Sequence, residues 1–318
     1  MHSKHLKREV IMLTGTIMLA VFFGIFANTA HAEQTKSVPG FLTRFIGNAT
    51  LGKQYFTSFE SNSEFKDFYV VPNNYLNTST NFLTSEKKVT GLSSHKAYMY
   101  GSNPIIIGAN TNHRGYPVFN FLQTSIGVLQ KSVLIEFYVW SDIKIPNNGN
   151  IYSDWISLAS FTSYDDIYWP RTYLINLDNK NQLYLMHVPE QNQSVHDIYQ
   201  AVNHPMPLQS WVKISTYIDF TANNNFNSPY MALWQNGVLV SAARFNPRID
   251  MQTYLNLPNQ PTCITDLPAN ATPADAEASC GYAYVGGLAQ AHFGLYAPPL
   301  LSSGRIYNDD LTVSEILH

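Results

Sequence analysis

Near the end of this 318-residue chain, Ala291-His292-Phe293-Gly294-Leu295-Tyr296 brings together two side chains able to move protons. In an extended strand, side chains two apart share a face, so His292 and Tyr296 point the same way with Gly294 bare between them. An imidazole with a reference pKa of about 6.5 is largely neutral near pH 7 and can accept a proton. A phenol can give one up. Gly294 leaves room beside His292 for a ligand.

Such a pair needs a sheet to hold it, and the chain beyond residue 33 reads as strands. Ser132 to Trp140 sets Val133, Ile135, Phe137 and Val139 on one face. Trp211 to Phe220 alternates between Val212, Ile214, Thr216, Ile218 and Phe220 on an apolar side and Trp211, Lys213, Ser215, Tyr217 and Asp219 on an aromatic-polar side. That pattern predicts one face in a core and the other lining a wet groove. Asn236-Gly237, between Met231–Gln235 and Val238–Ala243, predicts a type I′ hairpin. Further strands are expected at Phe56–Glu60, Asp67–Val71, Ile105–Gly108, Val118–Leu122, Trp155–Phe161, Tyr173–Leu177, Leu183–Val188, Tyr282–Tyr296 and Arg305–Val313. Helical periodicity is hard to find. Residues 191–207 and 246–281 read as long loops. The fold class that follows is all-β, an antiparallel sandwich or jelly roll.

The first 32 residues have a different character. Lys4, Lys7 and Arg8 precede an apolar run from Ile11 to Ala27, and Ala30-His31-Ala32 is a small-x-small cleavage pattern. This predicts a secretory signal peptide, an uncleaved anchor being the alternative, and a single domain over 33–318. The expected location is secreted or periplasmic, with no membrane span after cleavage. Removing 1–32 takes three of 19 basic and one of 22 acidic residues, leaving a net charge of −5. No general basic surface results, so nucleic acid is excluded as a partner. Aromatic residues make up 14% of the chain and charged ones 13%, a balance that excludes intrinsic disorder. Cys263 and Cys280 enclose sixteen residues. In an oxidising compartment they predict a disulfide, worth about 3 kcal/mol for so short a loop, a metal pair being the alternative.

The order of these pieces resembles the concanavalin A-like lectin/glucanase superfamily, and within it the jelly-roll polysaccharide lyases of the heparin-lyase-like and alginate-lyase-like groups. The matching features are Trp211-Val212-Lys213 opening a long strand, the Trp234-Gln235-Asn236-Gly237 hairpin, the His292-to-Tyr296 strand and the closing Asp-containing strand. The resemblance implies a concanavalin A-like jelly roll. An Arg-bearing strand would correspond to His113-Arg114-Gly115-Tyr116, a Gln-x-His strand to Leu185-Met186-His187, and a Lys-x-Gly-x-Tyr strand to His292-Phe293-Gly294-Leu295-Tyr296. Leu185 stands where Gln is expected and His292 where Lys is expected.

On that resemblance the activity is β-elimination on a uronate-containing polysaccharide. Arg114 would neutralise the carboxylate with its planar, permanently charged fork, His187 or His292 would take the proton, and Tyr296 would serve as acid, with the base role open to it as well. His113, Tyr116, Arg171, Lys213, Tyr217 and Gln235 would line the substrate. No cofactor is needed for such chemistry, but a structural calcium is implied at Glu60 and Asp310, oxygen ligands that would tie the two ends of the domain together.

Two alternatives remain open. A non-catalytic glycan-binding module would use aromatic faces among Trp140, Trp155, Trp169, Trp211 and Trp234, of which three are expected to be buried. A glycoside hydrolase needs two suitably spaced acids. The best local run, Glu136-Phe137-Tyr138-Val139-Trp140-Ser141-Asp142, lacks a matching second acid, as do Asp154, Asp165 and Asp166.

Overall fold

The computed structural model describes residues 37–61, 64, 69–70, 78–107, 110–121, 126–130, 132–162, 172–188, 197–199, 202–219, 230–244 and 287–318. The expected signal peptide, Arg171, Trp169, Asp165, Asp166, Cys263 and Cys280 lie outside the described residues. Residues Ser37–His318 form one compact unit. Among the described residues no helix is long and apolar enough to cross a membrane.

A short helix, α1 (Gly40–Ile46), precedes the strands β1 (Thr50–Thr57), β2 (Tyr69–Val70), β3 (Ser79–Thr84), β4 (Ser94–Met99), β5 (His113–Gly115) and β6 (Pro117–Asn120). Next come β7 (Leu129–Gln130), β8 (Ser132–Ser141), β9 (Trp155–Thr162), β10 (Thr172–Asp178), β11 (Leu183–Val188) and β12 (Asp197–Tyr199). The last are β13 (Val212–Asp219), β14 (Tyr230–Gln235), β15 (Val238–Arg244), β16 (Gly287–Leu288), β17 (Gln290–Ala297) and β18 (Gly304–Leu317). One eight-stranded sheet has the order β15-β14-β13-β8-β18-β4-β3, with β1 also on β18. The other has the order β12-β11-β10-β9-β17-β6-β2, with β5 also on β17. The named pairs are antiparallel, and β7 with β16 makes a small third sheet. This is the antiparallel β-sandwich jelly roll that the alternation predicts.

Apolar side chains of both sheets meet in one core. Ile135, Phe137, Val212, Ile214 and Val313 come from the first sheet, and Phe119, Ile156, Phe161, Ile175, Leu185 and Phe293 from the second. Strand period then decides the rest: residues alternating with these point outward. On the first sheet the outward side is capped by α1, whose Phe41 and Phe45 rings lie 5.0 Å and 5.3 Å from Trp234, while Phe45 also meets Tyr217. The aromatic-polar side of β13 is therefore not a wet groove over this stretch. The helix that covers it is too short to register as a 3.6-residue pattern.

Some boundaries also differ from expectation. β1 begins six residues early and stops at Thr57, because the Glu64 carboxylate gathers the N–H groups of Ser58, Phe59 and Glu60 and Phe59 adopts φ 59°. The apolar run at Ile105 forms no strand as far as Ile107, which is 99% exposed. Strand propensity without a neighbouring ladder to join does not make a strand. The expected long loop over 191–207 contains β12. The Asn236-Gly237 turn has positive φ at both residues, 49° and 80°, as a type I′ hairpin requires. Trp140 and Trp234 are buried, and Trp155 and Trp211 are half-buried.

Candidate functional site

The outward side of the second sheet is where candidate groups converge. Core residues Ala291, Phe293, Leu295 and Ala297 alternate along β17 with Gln290, His292 and Tyr296, which therefore face outward. Across the ladder, Arg114 of β5 is the register partner of Tyr296, and Tyr296 is in turn opposite Ser157 of β9. Two antiparallel strands thus bring a guanidinium-bearing residue and a phenol from positions 182 apart in sequence into one cross-strand pair.

Tyr116 connects this pair to His292. Its ring stacks on the imidazole with centroids 4.4 Å apart and planes 18° apart, and meets the Tyr296 ring edge-on at 6.1 Å. Trp155 stands against Tyr296 at 5.6 Å. The Tyr296 hydroxyl accepts N–H bonds from Asn110 at 2.9 Å and Asn112 at 2.8 Å. Both oxygen lone-pair directions are thereby used, and the phenolic proton remains available for donation elsewhere. His292 is 6% exposed. Burial first, and then the positive charge of Arg114, hold its pKa well below the usual imidazole value. It is neutral throughout the physiological range.

Gly294 has a different role from the one its bareness suggests. It sits at φ 132° in a β-bulge between Phe293 and Tyr296, and a Cβ there would lie 2.6 Å from the Gly115 carbonyl oxygen and 3.0 Å from His95 Cε1. Close backbone packing, not space for a ligand, requires glycine.

The other candidates are distributed over the sandwich. His187 lies on β11, opposite Tyr173 of β10, so β9 and β10 separate it from β17. Three strand spacings put its backbone about 14 Å from that of β17. His113 is on β5 next to Arg114 but opposite Ala297; its Nε2 donates to the Leu301 carbonyl at 2.8 Å, and burial lowers its pKa. It braces the core side of the strand. Lys213, Tyr217 and Gln235 belong to the first sheet, on the far side of the core from His292 and Tyr296. Lys213 pairs with Glu136 at 2.9 Å. Tyr217 bonds Ser132 at 3.2 Å, and burial raises its pKa to about 12. Gln235 donates to the Pro205 carbonyl at 3.3 Å. Lys213 and Tyr217 do not share a site with Arg114, because outward residues of opposed sheets face away from each other, and Gln235, opposite the core residue Ile214, lies on the core side of its strand. Glu136 and Asp142, the acids weighed for hydrolysis, are held by Lys213 and by a two-pronged Arg305 contact.

Glu60 and Asp310 do approach one segment from opposite ends of the chain. Glu60 accepts the Leu92 N–H at 2.8 Å, Asp310 accepts the Thr90 hydroxyl at 2.7 Å, and buried Asp309 accepts the Val89 N–H at 2.6 Å. Among the described residues no three His, Cys, Asp or Glu side chains form a metal-binding group. Calcium takes hard oxygen ligands of this kind, and the two carboxylates here accept hydrogen bonds from Thr90 and Leu92.

Asn110 and Asn112 were not identified from sequence, and Trp155 was weighed only as one of five aromatic faces for glycan binding. A signal exists for the two amides: in Asn110-x-Asn112-x-Arg114, the period of two puts all three on one face of an extended chain. Asn is abundant here, and nothing local distinguishes this pair.

No family model and no curated protein matches the chain. Solved structures similar to it include an endo-β-1,4-glucuronan lyase from the fungus Trichoderma reesei, with TM-score 0.48 and 14% identity over 78% of this chain and 93% of that one. The cellulose-induced protein Cip1 has TM-score 0.48 and 12% identity, covering 82% of this chain and 97% of its own. An alginate lyase in complex with an alginate trisaccharide has TM-score 0.43 and 10% identity, with 83% and 93% covered. The likeness to these proteins is one of jelly-roll β-sandwich architecture.

Proposed function

We propose that the protein is a secreted lyase that cleaves a uronate-containing polysaccharide by β-elimination. The observation that carries this reading is the cross-strand pairing of Arg114 with Tyr296, with neutral His292 held beside them through Tyr116. A proton next to a carboxylate is weakly acidic until the carboxylate charge is offset, and the Arg114 fork serves that purpose. The base removes this proton, the C–H electron pair forms the new carbon–carbon double bond, and the bond to the neighbouring oxygen breaks. That oxygen then takes up a proton.

His292 is neutral, but its lowered pKa makes it a poor base at the pH where a general base is most effective. Tyr296 is therefore assigned both transfers: its ionised oxygen takes the proton and its hydroxyl returns it to the leaving oxygen. The amide groups of Asn110 and Asn112 hold the Tyr296 oxygen in position by donating to it. His292 orients the substrate by hydrogen bonding without adding charge.

Incubation with glucuronan, alginate and polygalacturonate, followed by ultraviolet absorbance of the unsaturated product, tests this reading. Tyr296→Phe is expected to abolish turnover while polymer binding persists; turnover at the wild-type rate would remove Tyr296 from the mechanism. A half-buried Trp155 against Tyr296 also suits a glycan-binding surface. A flat absorbance trace on every polymer, with retention on one of them in an affinity gel, would favour that second reading.

A further inference from the structure

Gln290 lies two positions before His292 on the outward side of β17, and its register partner on β6 is Asn120. Gln290 is fully buried and Asn120 is 4% exposed. Neither polar atom of the Gln290 amide, nor the Asn120 carbonyl oxygen, has a hydrogen-bond partner among the described residues. Two amides opposite each other on a ladder would ordinarily satisfy one another or be replaced by apolar side chains, since a buried polar group without a partner costs stability. A third such oxygen, that of Asn176, lies on the same side of the sheet, in the register row that runs from Arg114 through Tyr296 and Ser157. Asn176 thus lies next to the row of the proposed catalytic pair, and Gln290 and Asn120 lie further along the same face, beyond His292.

We propose that Gln290 and Asn120 form a binding subsite for sugar hydroxyl groups, one or more units along the polymer from the sugar held at Arg114 and Tyr296. This rests on the polysaccharide reading of that face. An amide supplies both N–H donors and a carbonyl acceptor, matching a hydroxyl group that is itself donor and acceptor. Having no charge, the pair recognises hydroxyls and leaves the carboxylate to Arg114. The spacing suits an extended polymer: Gln290 is about 7 Å from His292 and about 20 Å from Tyr296 along the strand, several sugar units from the catalytic pair. The site also becomes more enclosed in that direction, from half-buried Tyr296 to His292 and then fully buried Gln290.

The test uses Gln290→Met and Asn120→Leu in the full chain carrying Tyr296→Phe, with soluble glucuronan and alginate as probes. Affinity electrophoresis gives the dissociation constant and thermal unfolding the midpoint. Each substitution is expected to weaken binding of the recognised polymer about tenfold, the scale of one or two lost neutral hydrogen bonds, with the midpoint unchanged or raised. An unchanged dissociation constant with a raised midpoint would show that the amides are unpaired structural groups, and would overturn the subsite while leaving elimination untouched. Should one variant fail to fold, the other decides by the same readouts. A wild-type protein that binds a polymer without producing unsaturated ends removes the lyase reading alone, and the subsite is still judged on binding. Failure of the parent Tyr296→Phe chain to bind either polymer overturns the subsite.

Discussion

Arg114 and Tyr296 form a cross-strand pair that neither residue signals alone. Their neighbours supply the rest of the chemistry: Tyr116 fixes His292 by stacking, and Asn110 and Asn112 fix the Tyr296 hydroxyl. A guanidinium differs from an ammonium here because its fork can bind both oxygens of a carboxylate in one plane. Arg114→Lys keeps the charge and loses the fork. It is expected to reduce kcat/KM on a uronate polymer by about 100-fold, the scale for removing one donor that stabilises a developing oxyanion. The thermal midpoint should change little. Turnover within a factor of two of wild type would remove Arg114 from the carboxylate role. His292 and Tyr296 were legible as candidates from residue type and period, and Arg114 and Tyr116 only through the family resemblance. Lys213, Tyr217 and Gln235 were not separable from them by the same reasoning, because a strand's alternation says which side chains share a face and not which sheet the strand joins.

At the scale of the element, β17 bends at its bulge so that Phe293 and Leu295 fill the core while Tyr296 still faces Arg114. Gly294→Ala places a side chain at φ 132° and 2.6 Å from the Gly115 carbonyl oxygen. A loss of about 2 kcal/mol or more is expected in urea unfolding, from the left-handed backbone and the clash together. Activity should fall with it, since Tyr296 lies two residues further on. An unchanged midpoint would mean that the bulge relaxes without cost. The closing strand shows a related device. β18 pairs with β4 over Gly304–Asn308 and then with β1 over Leu311–Leu317, and the change of partner falls at Asp310, whose φ is 48°. Neither bulge can be read from periodicity. Each depends on which backbone approaches from the other side.

For the whole molecule, buried ionisable groups set the response to acid. His95, whose pKa burial lowers to about 3, His113 and His292 are all held neutral. Each contributes stability that is complete above the unfolded value of about 6.5 and is lost as pH falls toward the folded value. Asp309 acts in the opposite direction. Burial raises its pKa to about 6, so its carboxyl favours the folded state most at low pH, and that contribution is lost as pH rises from about 4 through 6. The histidines outnumber it, and the unfolding midpoint is expected to fall between pH 7 and pH 5. Asp309→Asn should make that fall steeper, because it removes the opposing group; urea titrations at several pH values check both, and a midpoint that rises on acidification would contradict the balance. The sequence by itself determined the all-β class, most of the long strands, the type I′ turn and the outward pairing of His292 with Tyr296, because period-two patterning and turn chemistry are local. Tertiary structure alone decided that Arg114 meets Tyr296, that β9 and β10 separate His187 from β17, that α1 covers Tyr217, and that Gln290 and Asn120 stand opposite each other. Those are contacts between residues far apart in the chain, fixed by the order of strands within each sheet and by which sheet each strand joins.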